Sequence, residues 1–501
     1  MSQFKYPAYE KRDLFFNANA QKRVFSNPFE FEKNFLARSD YETFFLDSKA
    51  DETFALVLKD NKKAEYIWLD KNFKTKSKVS LSLEHSILDK SKYQYVGGSS
   101  NNDLYHFVFR YPDKDIFTME TVDFTAKTTK DEVILDLTKD EKFVKSFSYY
   151  NNFYVIAAND KTSQLIICVL NGNGELSTKK LDFKVPAAAG KTKLHEYVAG
   201  LKTLRDDAEP DFSDATEHKK LFCSEHELKM VIDGVGEATH IYTLQLPSLT
   251  ANEQFISYSS QLEQGEKEKE VVINSFICNN ILYSMIKGKK NIKIGLWDLD
   301  KGGTLLTNYV ISEEQDNYKL FATQPTSVSR SGSEVKEEGV DGVKKLMKQL
   351  SFGNMGIMVY KLPAGKILVT AGTYHTVVLA SGGGMSYSGG FQQSRTSAGV
   401  AIPGAVEYNA FKYTRPGNST YISEDARHYY STYFQYTLDP VTLRPSKQKV
   451  PVSLPEQVKD YIGTVNSKVK ATNQFAIGKN QYYGYYDVDT KSYIVEQIII
   501  R

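Results

Sequence analysis

Three cysteines in 501 residues are few, and their odd number excludes a fully paired disulfide framework. Cys168, Cys223 and Cys278 lie in or beside apolar runs, with no second Cys or His at ligand spacing. Such residues read as buried thiols acting as small hydrophobes, a reading that leaves the redox compartment open. No apolar run approaches the length of a membrane-spanning helix, so no transmembrane segment is expected. The stretch from Met1 to Pro7 lacks the apolar core of a signal peptide, so the chain is expected either to be cytoplasmic or to begin after a removed leader. Charge of one sign is missing as well. Lys plus Arg number 63 against 61 for Asp plus Glu, so no global field draws in nucleic acid.

Catalytic signatures are also lacking. The eight histidines form no HExxH, and no GxSxG elbow accompanies them. Gly382 to Gly384 lead to no Lys-Ser/Thr and open no helix, so they cradle no phosphate. His106 and His240 fall mid-strand, where a satisfied structural imidazole is expected. No catalytic residue and no cofactor are assigned. Two patterns superficially suggest a metal. Asp298, Asp300, Gly302 and Gly303 lack the register of a calcium loop and read as a hairpin turn, as do Asp487-Val-Asp489 and Leu438-Asp-Pro. The acidic run from Asp206 to Glu217, followed by His218, matches no loop spacing and reads as a solvated insertion. No metal site is assigned either.

What is abundant is strand material. Tyr (33) and Phe (29) far outnumber Trp (2), a balance that suits pleated surfaces. The stretch from Glu270 to Ile311 reads as four short apolar runs broken by Asn-Asn, Gly-Lys-Lys and Lys-Gly-Gly, the hairpin chemistry of one propeller blade. The same unit recurs over Glu42 to Leu83, Tyr93 to Leu137, Phe143 to Phe183 and Leu221 to Tyr258. It returns from Gly356 through a long interruption to the TYFQYTLD run, and again at the C-terminus. The expected fold is an all-β propeller of about seven four-stranded blades. Residues 1–40 read as an N-terminal arm anchored by phenylalanines, and residues 41–501 as the propeller. Closure of the ring calls for a strand from between Tyr6 and Phe35.

Insertions are expected near 187–218, 331–353 and 381–430. Leu194, Tyr197, Val198, Leu201 and Leu204 recur at helical spacing, as do Val340, Val343, Leu346, Met347 and Leu350, the latter set closed by Gly353. From Ser381 to Ser394 the chain has no charge and five glycines. Met385, Tyr387, Phe391 and Arg395 are the partner-binding residues assigned to this loop, because loops on a rigid scaffold are where recognition concentrates. Two tyrosine clusters, Tyr149/Tyr150 with Phe153/Tyr154 and Tyr482/Tyr483 with Tyr485/Tyr486, can place only half of their rings on any one side of a strand.

Stretches such as FALVLKDNKKAEYIWLDKNFKTKSKV and NNFYVIAANDKTSQLIICVLNGNGELSTKKLDF resemble lysine-, asparagine- and tyrosine-rich β-propeller-like envelope proteins of Bacteroidota. The resemblance covers most of residues 41–311. It implies an exported, periplasmic protein whose leader has been removed, and a role such as the plug-type accessory subunit of the type 9 secretion translocon. The sequence thus reads as a non-enzymatic propeller that binds a protein partner, such as an outer-membrane or secretion component, through its insertions. The alternative is a carbohydrate-binding or carbohydrate-active propeller using channel carboxylates and tyrosines.

Overall fold

Strands mostly of seven to nine residues, joined by short polar turns, cannot bury both faces alone, and here they stack as blades around one axis. The computed structural model describes residues 21–31, 41–60, 62–82, 93–206, 208–262, 271–314, 318–331, 334–362, 365–378, 427–447, 455, 457–458, 461, 469–477 and 480–499. In chain order β1 (Gln21–Pro28) comes first, and it belongs to the last blade. Blade 1 is β2 (Tyr41–Ser48), β3 (Thr53–Asp60), β4 (Lys63–Asp70) and β5 (Thr75–Ser82). Blade 2 is β6 (Gln94–Asn101), β7 (Leu104–Tyr111), β8 (Ile116–Asp123) and β9 (Thr128–Asp136). Blade 3 is β10 (Glu141–Tyr149), β11 (Asn152–Asn159), β12 (Gln164–Leu170) and β13 (Leu176–Asp182).

Helix α1 (Leu194–Val198), β14 (Lys202–Arg205) and helix α2 (Phe212–Ala215) precede the main strands of blade 4. Those are β15 (Lys219–Cys223), β16 (Glu227–Asp233), β17 (Ala238–Gln245) and β18 (Thr250–Ser257). Blade 5 is β19 (Val272–Cys278), β20 (Ile281–Lys287), β21 (Asn291–Asp298) and β22 (Thr304–Ser312). Next come helix α3 (Tyr318–Phe321), the hairpin β23 (Thr326–Ser331) and β24 (Glu334–Gly339), and helix α4 (Val343–Gln349). Blade 6 follows with β25 (Asn354–Lys361), β26 (Ile367–Val378), β27 (Arg427–Leu438) and the short β28 (Pro445–Ser446). Blade 7 is β29 (Val469–Ile477), β30 (Asn480–Asp487) and β31 (Ser492–Ile498), with β1 as its outer strand.

The strand called for between Tyr6 and Phe35 is thus β1, which pairs antiparallel with β31 from Gln21↔Ile498 to Pro28↔Ser492. Phe25, Phe29 and Phe31 are buried beside Tyr482, Tyr486 and Tyr493. Phe31 meets Tyr486 edge to face with ring centres 4.6 Å apart. An apolar cluster fills the seam between blades 1 and 2, and others fill the seams that follow around the ring. Alternation along each strand sends neighbouring aromatics to opposite seams. Tyr482 and Tyr486 join the seam to blade 1, whereas Tyr483 packs with Val458 and Tyr461 on the other side.

The turns that close the third strand of five blades share one device. In blades 1, 2, 3, 5 and 6 the side-chain oxygen of Asp70, Asp123, Asn171, Asp298 or Asp439 accepts from backbone N–H groups two to four residues on. Asp298 and Asp300 therefore form a turn, as read from the sequence. Blade 4 departs from the pattern with a cis Leu246–Pro247 bond.

Both helical insertions form, and each differs from its sequence reading. Leu194, Tyr197 and Val198 are buried on α1, but the helix stops at Gly200, whose φ of 78° is a conformation suited to glycine. Leu204 consequently lies in β14, an added strand parallel to β15, rather than on the helix face. In the second insertion α4 buries Val343 and Leu346, Val340 and Leu350 pack in the same cluster, and Gly353 follows at φ 94°. The hairpin β23–β24 ahead of it was not legible. It adds to blade 6 by pairing Thr326–Ser331 with His428–Tyr433.

Phe31→Ala removes the ring that clasps the closing strand to Tyr486. The expected loss is about 3–5 kcal/mol of unfolding free energy, read as a lower midpoint in urea denaturation followed by circular dichroism.

Candidate functional site

In an antiparallel four-strand blade the 1–2 and 3–4 turns leave one face of the ring. The 2–3 turn and the link to the next blade leave the other. On the first face the turns between paired strands run only from two to six residues, from Asn102–Asp103 up to Asp439–Arg444. The strand ends that bound the chain's long links, 183–218 before β15, 313–353 before β25, 379–426 between β26 and β27, and 447–468 before β29, all lie at the second face. The two faces are called here the turn face and the insertion face.

The insertion face is raised at blade 6. β26 and β27 each run twelve residues, and their pairing continues past the start of β25 through His375↔Tyr430 to Val378↔Arg427. β23 and β24 widen this projecting part. Rings stack along it, with His375 on Tyr430 at 4.9 Å and Tyr374 beside Tyr429 at 6.2 Å. Around its base α4 exposes Lys344, Lys345 and Lys348, and Phe352 is also exposed. The assigned loop residues Met385, Tyr387, Phe391 and Arg395 lie outside the described residues.

The acidic stretch read as a solvated insertion is dispersed instead. β14 occupies the axial edge of blade 4, and its pairing is extended by the Asp206 N–H donating to the Cys223 carbonyl at 3.1 Å. Asp206 accepts the Tyr149 hydroxyl from blade 3. Asp211 caps α2 by accepting from the Ser213 N–H at 3.0 Å, and Asp214 pairs with Lys202 at 3.2 Å. Asn274 of blade 5 donates to the Thr216 and Glu217 carbonyls and accepts from the Ile357 N–H of blade 6, tying three blades together near the axis. Among the described residues no group of three or more His, Cys, Asp and Glu is placed to hold a metal. No described helix is long and apolar enough to cross a membrane. Asp206, one residue beyond the end of β14, is engaged by the Tyr149 hydroxyl.

A second seat of polar contacts lies between blades 4 and 5. Lys220 and Asp233 are 3.2 Å apart with both side chains 0% exposed. Asp233 also accepts from the Thr239 hydroxyl at 2.7 Å, the Ser275 hydroxyl at 2.6 Å and the Ser275 N–H at 2.8 Å. Every oxygen is used, the condition under which a buried ion pair is tolerated.

On the turn face the 1–2 turns of blades 1, 2 and 3 interlock. Asn151 accepts from the Lys49 N–H at 2.7 Å and donates to Ser48 at 3.1 Å, and its carbonyl accepts from the Ser100 N–H at 3.2 Å. Asp51 accepts from Ser48 at 2.6 Å and from the Asn102 N–H at 2.9 Å. Tyr150 and Asn151 take φ of 48° and 59°, and for a bulky tyrosine that conformation is strained. Lys49 and Arg205, which meet at this rim, were missed in the sequence. Their only signal is the position of Lys49 in a 1–2 turn, which does not reveal the neighbours it meets.

No protein-family model matches the chain, and no curated protein does. Solved structures similar to it include the Dos1 propeller, at 11% identity and a TM-score of 0.33, covering 96% of each chain. The Nup133 β-propeller domain of Vanderwaltozyma polyspora matches at 9% identity and a TM-score of 0.25, over 54% of this chain and 75% of that one. A prolyl endopeptidase matches at 9% identity and a TM-score of 0.24, over 66% of this chain, and the match spans about half (54%) of that enzyme. The propeller assignment rests on the sheet order given above.

His106 is the satisfied imidazole expected of it: Nδ1 lies 2.9 Å from the Thr121 hydroxyl and Nε2 3.1 Å from the Gly172 carbonyl. Burial holds its pKa below the ordinary value, as it does for His218, and brings His240 down to about 4. Glu253 approaches His240 Nε2 to 2.7 Å without hydrogen-bond alignment, so burial dominates there. In the unfolded chain these rings bind protons below about pH 6.5, while the folded protein keeps them neutral. Their contribution to stability is complete above that pH and is lost as pH falls toward the lowered folded values. The urea midpoint is expected to drop between pH 7 and pH 5, and His106→Gln, which titrates nowhere in that range, should make the drop shallower.

Proposed function

We propose that this protein is a non-enzymatic, protein-binding β-propeller that presents its insertion face to a protein partner. One observation carries the reading. The long links emerge on one face, while the other is closed by turns of two to six residues held by their own side chains. Loops that a rigid scaffold displays together are suited to recognition. The raised edge of blade 6 supplies, in its stacked rings, the aromatic groups that protein interfaces favour, and the exposed lysines of α4 give the same face positive charge that steers an acidic partner. The resemblance of residues 41–311 to Bacteroidota envelope propellers supports a finer proposal: the partner is a component of an envelope or secretion complex, and the protein is its exported accessory subunit.

The test is purification of the tagged protein from its own cells in mild detergent, with mass spectrometry of what accompanies it. Three forms are compared with the unaltered protein: deletion of 381–394, reversal of Lys344, Lys345 and Lys348 to Glu, and a turn-face control, Lys71→Glu with Lys127→Glu. Recovery of a stoichiometric partner should fall at least about tenfold in the first two and hold in the control. Loss in the control alone, or in none of the three, would overturn the reading.

A further inference from the structure

Three side chains meet where the closing strand lies against blade 1. Asn27 on β1 is buried, and the ladder to β31 fixes its backbone opposite Tyr493. Its carboxamide faces blade 1, where Lys78 Nζ donates to Oδ1 at 2.6 Å. Glu65 Oε1 accepts from Asn27 Nδ2 at 3.1 Å and from Lys78 Nζ at 3.1 Å, so one carboxylate oxygen touches both nitrogens. Nδ2 also reaches the Pro28 carbonyl at 3.2 Å. Strand pairing sets this triangle. Lys78 of β5 lies opposite Ile67, two residues from Glu65 on β4, so the two charged side chains are diagonal neighbours on one face. That face looks into the seam with blade 7, which Ile67, Phe25, Phe29 and Phe31 help to fill. The Glu65 side chain is 20% exposed and that of Lys78 42%, the lysine stem entering from the rim.

We propose that Lys78 and Asn27 join in an intramolecular isopeptide bond, which the folded chain forms by itself with Glu65 as general base and acid. The bond ties the closing strand covalently to blade 1. Contact between amine and carboxamide removes the entropic cost that makes amide exchange slow between separate molecules. A carboxylate within hydrogen-bond reach of both nitrogens is placed to move the protons. Glu65 first takes a proton from Nζ, along the same contact that pairs it with the ammonium. The neutral Nζ attacks Asn27 Cγ, and a C–N bond forms. Glu65 then gives its proton to Nδ2 and takes the second from Nζ. The Cγ–Nδ2 bond breaks, and ammonia departs with the Glu65 proton as ammonium. Nothing is oxidised or reduced, and no outside reactant is needed.

A second lysine touches an asparagine without this arrangement. Lys229 Nζ donates to Asn280 Oδ1 at 2.7 Å and pairs with Glu227, but Asn280 Nδ2 donates to Asp300 at 3.2 Å. Its proton path is split between two carboxylates, and no bond is expected there. The test is the intact mass of the full chain, held folded in buffer until the mass is constant, with tandem mass spectrometry of a tryptic digest. A loss of about 17 Da, one ammonia, is expected. The digest should hold a branched peptide joining residues 24–33 to residues 77–90, because trypsin does not cut after an acylated Lys78. Lys78→Arg should keep its full mass. Glu65→Gln keeps the shape but cannot carry the protons, so its loss of ammonia should be slowed at least about a hundredfold with the near-UV circular dichroism unchanged. If Glu65→Gln does not fold, the mass and the branched peptide of the unaltered protein decide alone. Equal cross-linking of Lys229 to Asn280 would overturn the role given to Glu65, since contact alone would then suffice. A full mass in the unaltered protein would overturn the proposal outright.

Discussion

The ring depends on one ladder, the pairing of β1 with β31. Seven sheets that each bury both faces against neighbours need a closed circle, because an open one leaves two apolar seams in water. Closure here joins the first described strand, Gln21–Pro28, to the last, Ser492–Ile498, so its loop entropy is met only when the rest of the circle already holds the two ends near each other. Phe25, Phe29 and Phe31 then fix the register by burying the same side of the arm against Tyr482, Tyr486 and Tyr493. A shift of one residue would turn these rings outward.

Given that circle, the molecule is two-faced by construction. Antiparallel order sends every link between blades to one side, so any length added between blades accumulates there. One insertion behaves differently from the others. β14 runs back along the axial edge of blade 4, and its last residue Arg205, with Asp206 just beyond it, reaches the opposite side of the ring at Tyr149. The 183–218 link is therefore both a surface insertion and part of the packing around the axis.

The blades were legible because their signals are local. Turn residues such as Asp70, Asn171 and Asp298 cap their own turns through contacts within four residues, and strand alternation is written in every second side chain. The clusters at Tyr149 and Tyr482 divided between two sides as alternation requires. What escaped depends on long-range pairing. Leu204 fits a helical spacing with Leu201, but parallel pairing with Phe222 on β15 decides its conformation. β23 reads as ordinary polar chain, and only His428–Tyr433 of β27 makes it a strand. The Asp206–His218 run looks like one acidic loop, whereas its members serve a tyrosine, a helix cap and a lysine at separate places. The rim formed by Lys49, Tyr149, Tyr150 and Arg205 was invisible for the same reason: three blades contribute to it.

The register of the closing ladder has a mechanical meaning. Gln21 lies opposite Ile498, so both chain ends leave the ladder at the same end. A pull applied between the two termini acts across the strands, along the hydrogen bonds, and breaks the rungs one at a time, as a zip opens. Load shared by all rungs at once would require the ends to leave from opposite ends of the ladder. A seal held by its buried rings is for this reason compliant to traction, and tethering the two sides of the ladder to separate anchors would open the circle at blade 7 first.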